Sequence, residues 1–201
     1  GYIDDGETPN TQLNLYEYPD NKHIIFEVRG LKSESYKGTG VGNIWFGDKG
    51  YVVCPNYSSG IAYDLEGKQL AKFSGGGDQH HFDNFVKAVR SRKQSDLHCD
   101  VEEGHRSAAL CHLGNISYRL GTEISLDKPV DAFSDCKEAV EALGRMKKHL
   151  TDNKVDLKDA HGRVGVKLTI DPKTEQIAGN KPAGDMLFRE YRKSFDITEA
   201  V

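Results

Sequence analysis

The chain has 201 residues, 37% of them hydrophobic and 29% charged, and its 27 Lys and Arg against 31 Asp and Glu leave a net charge of -4. That length suits one ordinary domain, or one domain with an appendage. The balance lacks the basic excess or basic stripe of a nucleic-acid binder, and no apolar run approaches the roughly 20 residues needed to span a bilayer.

The opening GYIDDGETPN has no basic start and no apolar stretch, so no signal peptide is expected in it. With Gly1 in place of an initiator Met, the chain reads as an excised segment or a processed product. The four cysteines, Cys54, Cys99, Cys111 and Cys136, form no C-x-x-C pair and are too sparse for a disulfide scaffold. They are expected to be small buried hydrophobes, and the redox compartment stays open.

The first 75 residues read as strands. Leu13, Leu15 and Tyr18 open an alternating run, the turn Pro19-Asp20-Asn21-Lys22 follows, and residues 23–29 return as a hairpin. Residues 43–46 and 51–54 flank the tight-turn signal Asp48-Lys49-Gly50, and residues 61–65 and 69–73 flank Glu66-Gly67-Lys68. Tight turns between short strands predict antiparallel pairing, since parallel strands need long crossovers.

Helices follow. Asp78 is the expected cap of the first, whose apolar stripe is Phe82, Phe85, Val86 and Val89. Asp100 with Glu103 three residues on resembles a capping box, opening a second helix with the stripe Ala109, Leu113, Ile116 and Leu120 and a stop at Gly121. A third is expected over residues 134–150, with Cys136, Val140, Leu143 and Leu150 on one face. The pattern predicts an α+β domain over residues 1–150, a mostly antiparallel open sheet with helices on one face. Residues 151–201 are expected as an extended arm on the same domain, with a strand at 166–170 and a short helix near 185–192.

Glycine-rich segments do not make a nucleotide loop. Gly38-Thr39-Gly40-Val41-Gly42 is followed by a strand where a dinucleotide fingerprint needs a helix, so a bend or bulge is expected. Ser74-Gly75-Gly76-Gly77 precedes a helix, but Asp78 competes with any anion there, which favours a plain connection. G-x-S-x-G is absent, and Glu102 and Glu103 point apart on their helix. Arg189, Arg192 and Lys193 read as a solvated or interface charge run.

Residues 78–121 hold His80, His81, His98, His105 and His112, five of the eight histidines. Histidine serves proton transfer and metal ligation near neutral pH, so the stretch is either a site or a set of satisfied core imidazoles. His98, Cys99, His105, Cys111 and His112 lack the paired spacing of structural zinc sites, and no H-E-x-x-H is present, so no metal is assigned. His105 and His112 share one helical face, and His80 and His81 lie in the first turn of the preceding helix.

HFDNFVKAVRSRKQSDLHCDVEEGHRSAALCHLGNISYRLG closely resembles the C-terminal domain of Gfo/Idh/MocA-type oxidoreductases, particularly a branch frequent in Bacteroidetes and Planctomycetes. GYIDDGETPNTQ resembles the linker into that domain, VGNIWFGDKGYVV its turn-centred hairpin, and LTIDPKTEQIAGNKPAGDMLFREYRKSF its closing segment. The resemblance implies an N-terminal Rossmann domain that binds NAD or NADP, and a C-terminal sheet domain that shapes the substrate pocket and carries the oligomer interface. It implies hydride transfer on a sugar, polyol or derivative. The family's nucleotide fingerprint, catalytic lysine and catalytic histidine have no counterpart here, so no catalytic or cofactor-binding residue is assigned and the chain alone is expected to be inactive.

Under that resemblance His80, His81, His105, Arg106 and His112 are candidates for polar contacts to a hydroxylated substrate. The implied partners are the Rossmann domain, a carbohydrate-type substrate and a second copy of the chain, with no nucleic acid and no membrane. A non-catalytic interaction module is the alternative from another class, and a metal-dependent hydrolase a minor third. The compartment stays open between cytoplasmic and exported, since an export signal would lie upstream.

Overall fold

A computed structural model describes residues 1–195. The chain divides into two compact units, one made of Gly1–Val28 with the chain from Arg106 onward, the other of Arg29–His105. The fold is α+β, with four helices and strands gathered into four small sheets among the described residues.

In the first unit, β1 (Thr11–Tyr18) and β2 (Lys22–Arg29) form the expected hairpin. Asp20 and Asn21 hold φ of 63° and 56°. Asp and Asn tolerate that left-handed backbone, which is what a tight hairpin turn with the native strand twist requires. Helix α2 (Val101–Arg119) starts where the capping signal put it, because Asp100 Oδ1 accepts from the Glu102 and Glu103 N–H groups at 3.0 and 3.2 Å. Of its predicted stripe, Ile116 is buried and Ala109, Leu113 and Leu120 half-buried.

Helix α3 (Lys137–Asp152) buries Ala139, Ala142, Leu143, His149 and Leu150. The buried face is rotated from the expected one, for Val140 is exposed, and Cys136 is the cap residue that precedes the helix. Leu150, 0% exposed, packs with Leu126 and Ala160, and Tyr2, Ile124, Val155 and Leu157 close around them. Full burial of such a side chain contributes about 2 kcal/mol.

A pairing that no sequence pattern announced joins distant segments: β7 (Thr122–Ser125) runs antiparallel to β8 (His161–Val164), from Thr122↔Val164 to Ser125↔His161. Further on, Ser117 Oγ donates to the Val166 carbonyl at 2.7 Å and the Val166 N–H to the Ser117 carbonyl at 3.2 Å, tying residue 166 to α2. Of the strand expected at 166–170 only β9 (Thr169–Ile170) forms, pairing with β10 (Ile177–Ala178). The last helix comes early, as α4 (Lys181–Asp185). Asn180 Oδ1 accepts from the Ala183 N–H at 3.1 Å and Pro182 lies in its first turn, both helix-starting devices. The end of the expected arm, residues 196–201, lies outside the described residues.

The second unit is a meander and a helix. Strands β3 (Asn43–Gly47), β4 (Gly50–Asn56), β5 (Ser59–Tyr63) and β6 (Gln69–Ser74) pair antiparallel in chain order, as their turns predict. Gly50 is obligatory at its turn, since a Cβ there would lie 2.0 Å from the Tyr63 carbonyl oxygen. Residues 38–42 form the expected bend ahead of β3, with Tyr36 bridged to Thr39. Helix α1 (Asp78–Ser91) follows three glycines, all at positive φ. Its cap residue is Gly77, with no side-chain cap hydrogen bond, so Asp78 begins the helix instead of capping it. The helix buries none of its residues, and Phe82 and Phe85 are 60% and 62% exposed. Among the described residues no helix is long and apolar enough to cross a membrane.

Candidate functional site

The histidine-rich stretch does not provide a core: His80, His81, His98, His105 and His112 are all exposed, so none of them is a core imidazole. The cysteines are also not the buried hydrophobes expected: all four are free thiols, Cys99 and Cys111 exposed, Cys54 and Cys136 half-buried. A buried histidine lies elsewhere, on α3. His149 is 4% exposed, and Asn153 Nδ2 donates to its carbonyl at 2.8 Å and sits 3.4 Å from its Nδ1.

His80 and His81 occupy the first turn of α1, where the His81 ring stands edge-on to Phe82 at 5.6 Å. His105, Arg106 and His112 all lie on α2. His105 and His112 share a face, but seven residues of helix separate them by about 10.5 Å along the axis, too far to ligate one ion. A recess of about 520 Å³ in the second unit is lined by Asp83, Val86, Lys87, Arg90 and Ser91. All five come from α1, so it is a groove along one helix and not an enclosed pocket.

In the first unit the β1–β2 hairpin meets α2 and α3. Tyr16 Oη donates to the Leu110 carbonyl at 2.7 Å and accepts from Asn14 Nδ2 at 3.2 Å. Burial, with a smaller push from Cys111, raises its pKa to about 12. Gly114 makes this approach feasible, because a Cβ there would lie 2.6 Å from Asn14 Nδ2 and 2.8 Å from Tyr16 Oη. Arg145 of α3 reaches Glu27 of β2 at 2.6 Å, with the two side chains only 25% and 18% exposed.

At the other end of the β2–α3 seam three chemically distinct donors converge. Cys136 Sγ lies 3.9 Å from His23 Nε2 and 3.8 Å from Glu138 Oε2. One donor atom from each residue falls within 4.8 Å of the others. Among the described residues this is the one such group of three or more; the set around His98, Cys99, His105, Cys111 and His112 does not converge. Sequence reasoning missed it because His23 stood as the first residue of a strand and Cys136 as part of an apolar face. The available signal was the Cys136-x-Glu138 spacing at a helix start.

A dinucleotide does not fit the glycine segments. The three glycines before α1 follow β6, which pairs antiparallel with β5, whereas the phosphate-binding turn belongs to a parallel βαβ unit. Asp78 also places a carboxylate in the first turn, against an anion.

The family comparison bears out the resemblance at the level of the family and its C-terminal domain. Residues 12–150 match the Gfo/Idh/MocA family described as "Oxidoreductase family, C-terminal alpha/beta domain". No curated protein matches the chain, and no solved structure does. With well over half of its length matched, the chain belongs to the Gfo/Idh/MocA oxidoreductase family, as a C-terminal alpha/beta domain.

Proposed function

We propose that this chain is the substrate-binding and oligomerising part of an NAD(P)-dependent oxidoreductase acting on a sugar, polyol or derivative, and that it is inactive by itself. The observation that carries the reading is the match of residues 12–150 to a C-terminal domain of this oxidoreductase family. The partner is an N-terminal Rossmann domain, which binds the nucleotide and supplies hydride transfer.

The contribution of this chain is recognition. A hydroxylated substrate needs hydrogen bonds in place of each water it loses. Exposed His80 and His81 at the start of α1, and His105, Arg106 and His112 along α2, are the proposed sources of such contacts. An imidazole offers one donor and one acceptor and a guanidinium five donors, which suits hydroxyl recognition. The test is titration of the full-length protein with NAD(H), NADP(H) and a sugar panel, read by calorimetry and by reduced-nicotinamide absorbance. Nucleotide binding followed by sugar-dependent turnover is expected. A folded full-length protein that binds neither nucleotide would sink the reading.

A specific observation also favours the non-catalytic interaction role. Across the four-stranded sheet, Trp45, Val52, Ala62 and Ala71 stand in register on one face, with Cys54, Gly60 and Phe73 alternating beside them. Trp45 and Phe73 at its rims are 67% and 56% exposed. A face of small and aliphatic residues between two exposed aromatics suits pairing with a second copy. Light scattering of the 201-residue chain tests this: a concentration-dependent dimer is expected, and a strict monomer at high concentration argues against it.

A further inference from the structure

We infer that His23, Cys136 and Glu138 form a divalent-metal site, matched to Zn²⁺, that joins the start of β2 to the start of α3. The site goes beyond the substrate-domain reading and does not depend on it.

Donor chemistry selects the ion. Mg²⁺ and Ca²⁺ take shells of oxygen, whereas a thiolate with an imidazole and a carboxylate suits zinc and its borderline-soft relatives. Spacing agrees. Tetrahedral zinc, with bonds of about 2.3 Å to sulfur and about 2.0–2.2 Å to nitrogen and oxygen, holds its donors about 3.5 Å apart. The separations of 3.9 and 3.8 Å from Cys136 Sγ exceed this by only a few tenths of an ångström. His23 and Glu138 are exposed, so rotation of their side chains closes the remainder without moving backbone.

The frame that brings the donors together is fixed elsewhere along the same seam. From His23 to Glu27 is four residues of strand, a rise of about 13 Å. From Cys136 to Arg145 is nine residues, about 13.5 Å at helical rise. The Arg145–Glu27 contact at 2.6 Å and the Cys136–His23 contact at 3.9 Å therefore fall at matching spacings along the two elements. The Arg145–Glu27 pair and the α3–β1 packing hold the two backbones, so little rearrangement is needed on binding. Three protein donors leave a fourth position for water or an exogenous ligand, as in open zinc sites.

The experiment is zinc competition against a chromophoric chelator on the 201-residue chain, with Co²⁺ absorption as the probe of thiolate ligation. One equivalent of Zn²⁺ is expected, with a thiolate-to-cobalt charge-transfer band and a rise in Tm. Cys136→Ser and His23→Gln each weaken binding by more than about 100-fold, beyond the roughly 10–100-fold that outer-shell partners cost. Replacing Cys99 and Cys111 together with serine leaves stoichiometry and affinity unchanged. Absence of stoichiometric binding, or binding that survives Cys136→Ser and vanishes with Cys99 and Cys111, overturns the site. Should Cys136→Ser fail to fold, exposed Glu138→Gln and protection of the Cys136 thiol from alkylation by Zn²⁺ decide the same question. Loss of affinity in Glu138→Gln with a protected thiol is then expected; a Cys136 freely alkylated in the presence of Zn²⁺ overturns the site.

Discussion

The unit formed by residues 1–28 with the chain from Arg106, and the unit formed by Arg29–His105, treat their apolar residues in opposite ways. In the first, α3 buries five residues, and Leu150 closes a cluster with Leu126 and Ala160. In the second, α1 buries none despite a regular stripe of Phe82, Phe85, Val86 and Val89, and exposed Trp45 and Phe73 flank one sheet face. Both stripes have helical period, yet only one covers a core. Periodicity reports that a face is apolar, and not what covers it.

The contrast can be broken by mutation. Leu150→Ala is expected to cost about 2–5 kcal/mol in urea unfolding, since it empties a fully buried site. Phe85→Ser, on the exposed stripe, should change stability by no more than about 0.5 kcal/mol; comparable costs would mean that α1 is covered. Next in size is Arg145→Met, which removes the guanidinium facing half-buried Glu27 and should cost about 1.5–3 kcal/mol in the same assay. Asp100→Ala removes the acceptor for two N–H groups at the start of α2 and should cost about 1 kcal/mol. A pH dependence is also expected. The pKa of Tyr16 is raised from its ordinary value of 10.0 to about 12, so folding favours its protonated form. Its contribution is fully present below pH 10 and is lost as pH rises towards 12. Tyr16→Phe should flatten that part of the stability–pH curve and cost about 1 kcal/mol at neutral pH.

Local chemistry was legible in the sequence where a few neighbouring residues settle the structure. Asp20-Asn21, Asp48-Lys49-Gly50 and Glu66-Gly67-Lys68 mark real turns, and Asp100 caps α2 as its spacing implies. What escaped depends on partners far apart in the chain. Strands β7 and β8 are four residues each, mostly polar, and pair across an intervening helix with no turn signal between them. His23 and Cys136 are 113 positions apart, and only the β2–α3 seam makes them neighbours. The early start of α4 was legible in Asn180 and Pro182, a cap residue followed by a first-turn proline, which the expected helix near 185–192 did not use. The family was legible because residues 81–121 carry its pattern, whereas the five candidate contacts rested on that likeness and on histidine chemistry alone.

Trp45 is the single tryptophan of the chain, and it stands 67% exposed at a rim of the apolar sheet face. Acrylamide quenching of its fluorescence across a concentration series therefore tests most directly whether the second unit presents an uncovered face for a partner. A readily quenched, red-shifted indole is expected in dilute monomeric solution, shielded progressively as the chain assembles. An indole already blue-shifted and protected in the dilute monomer would contradict an uncovered face.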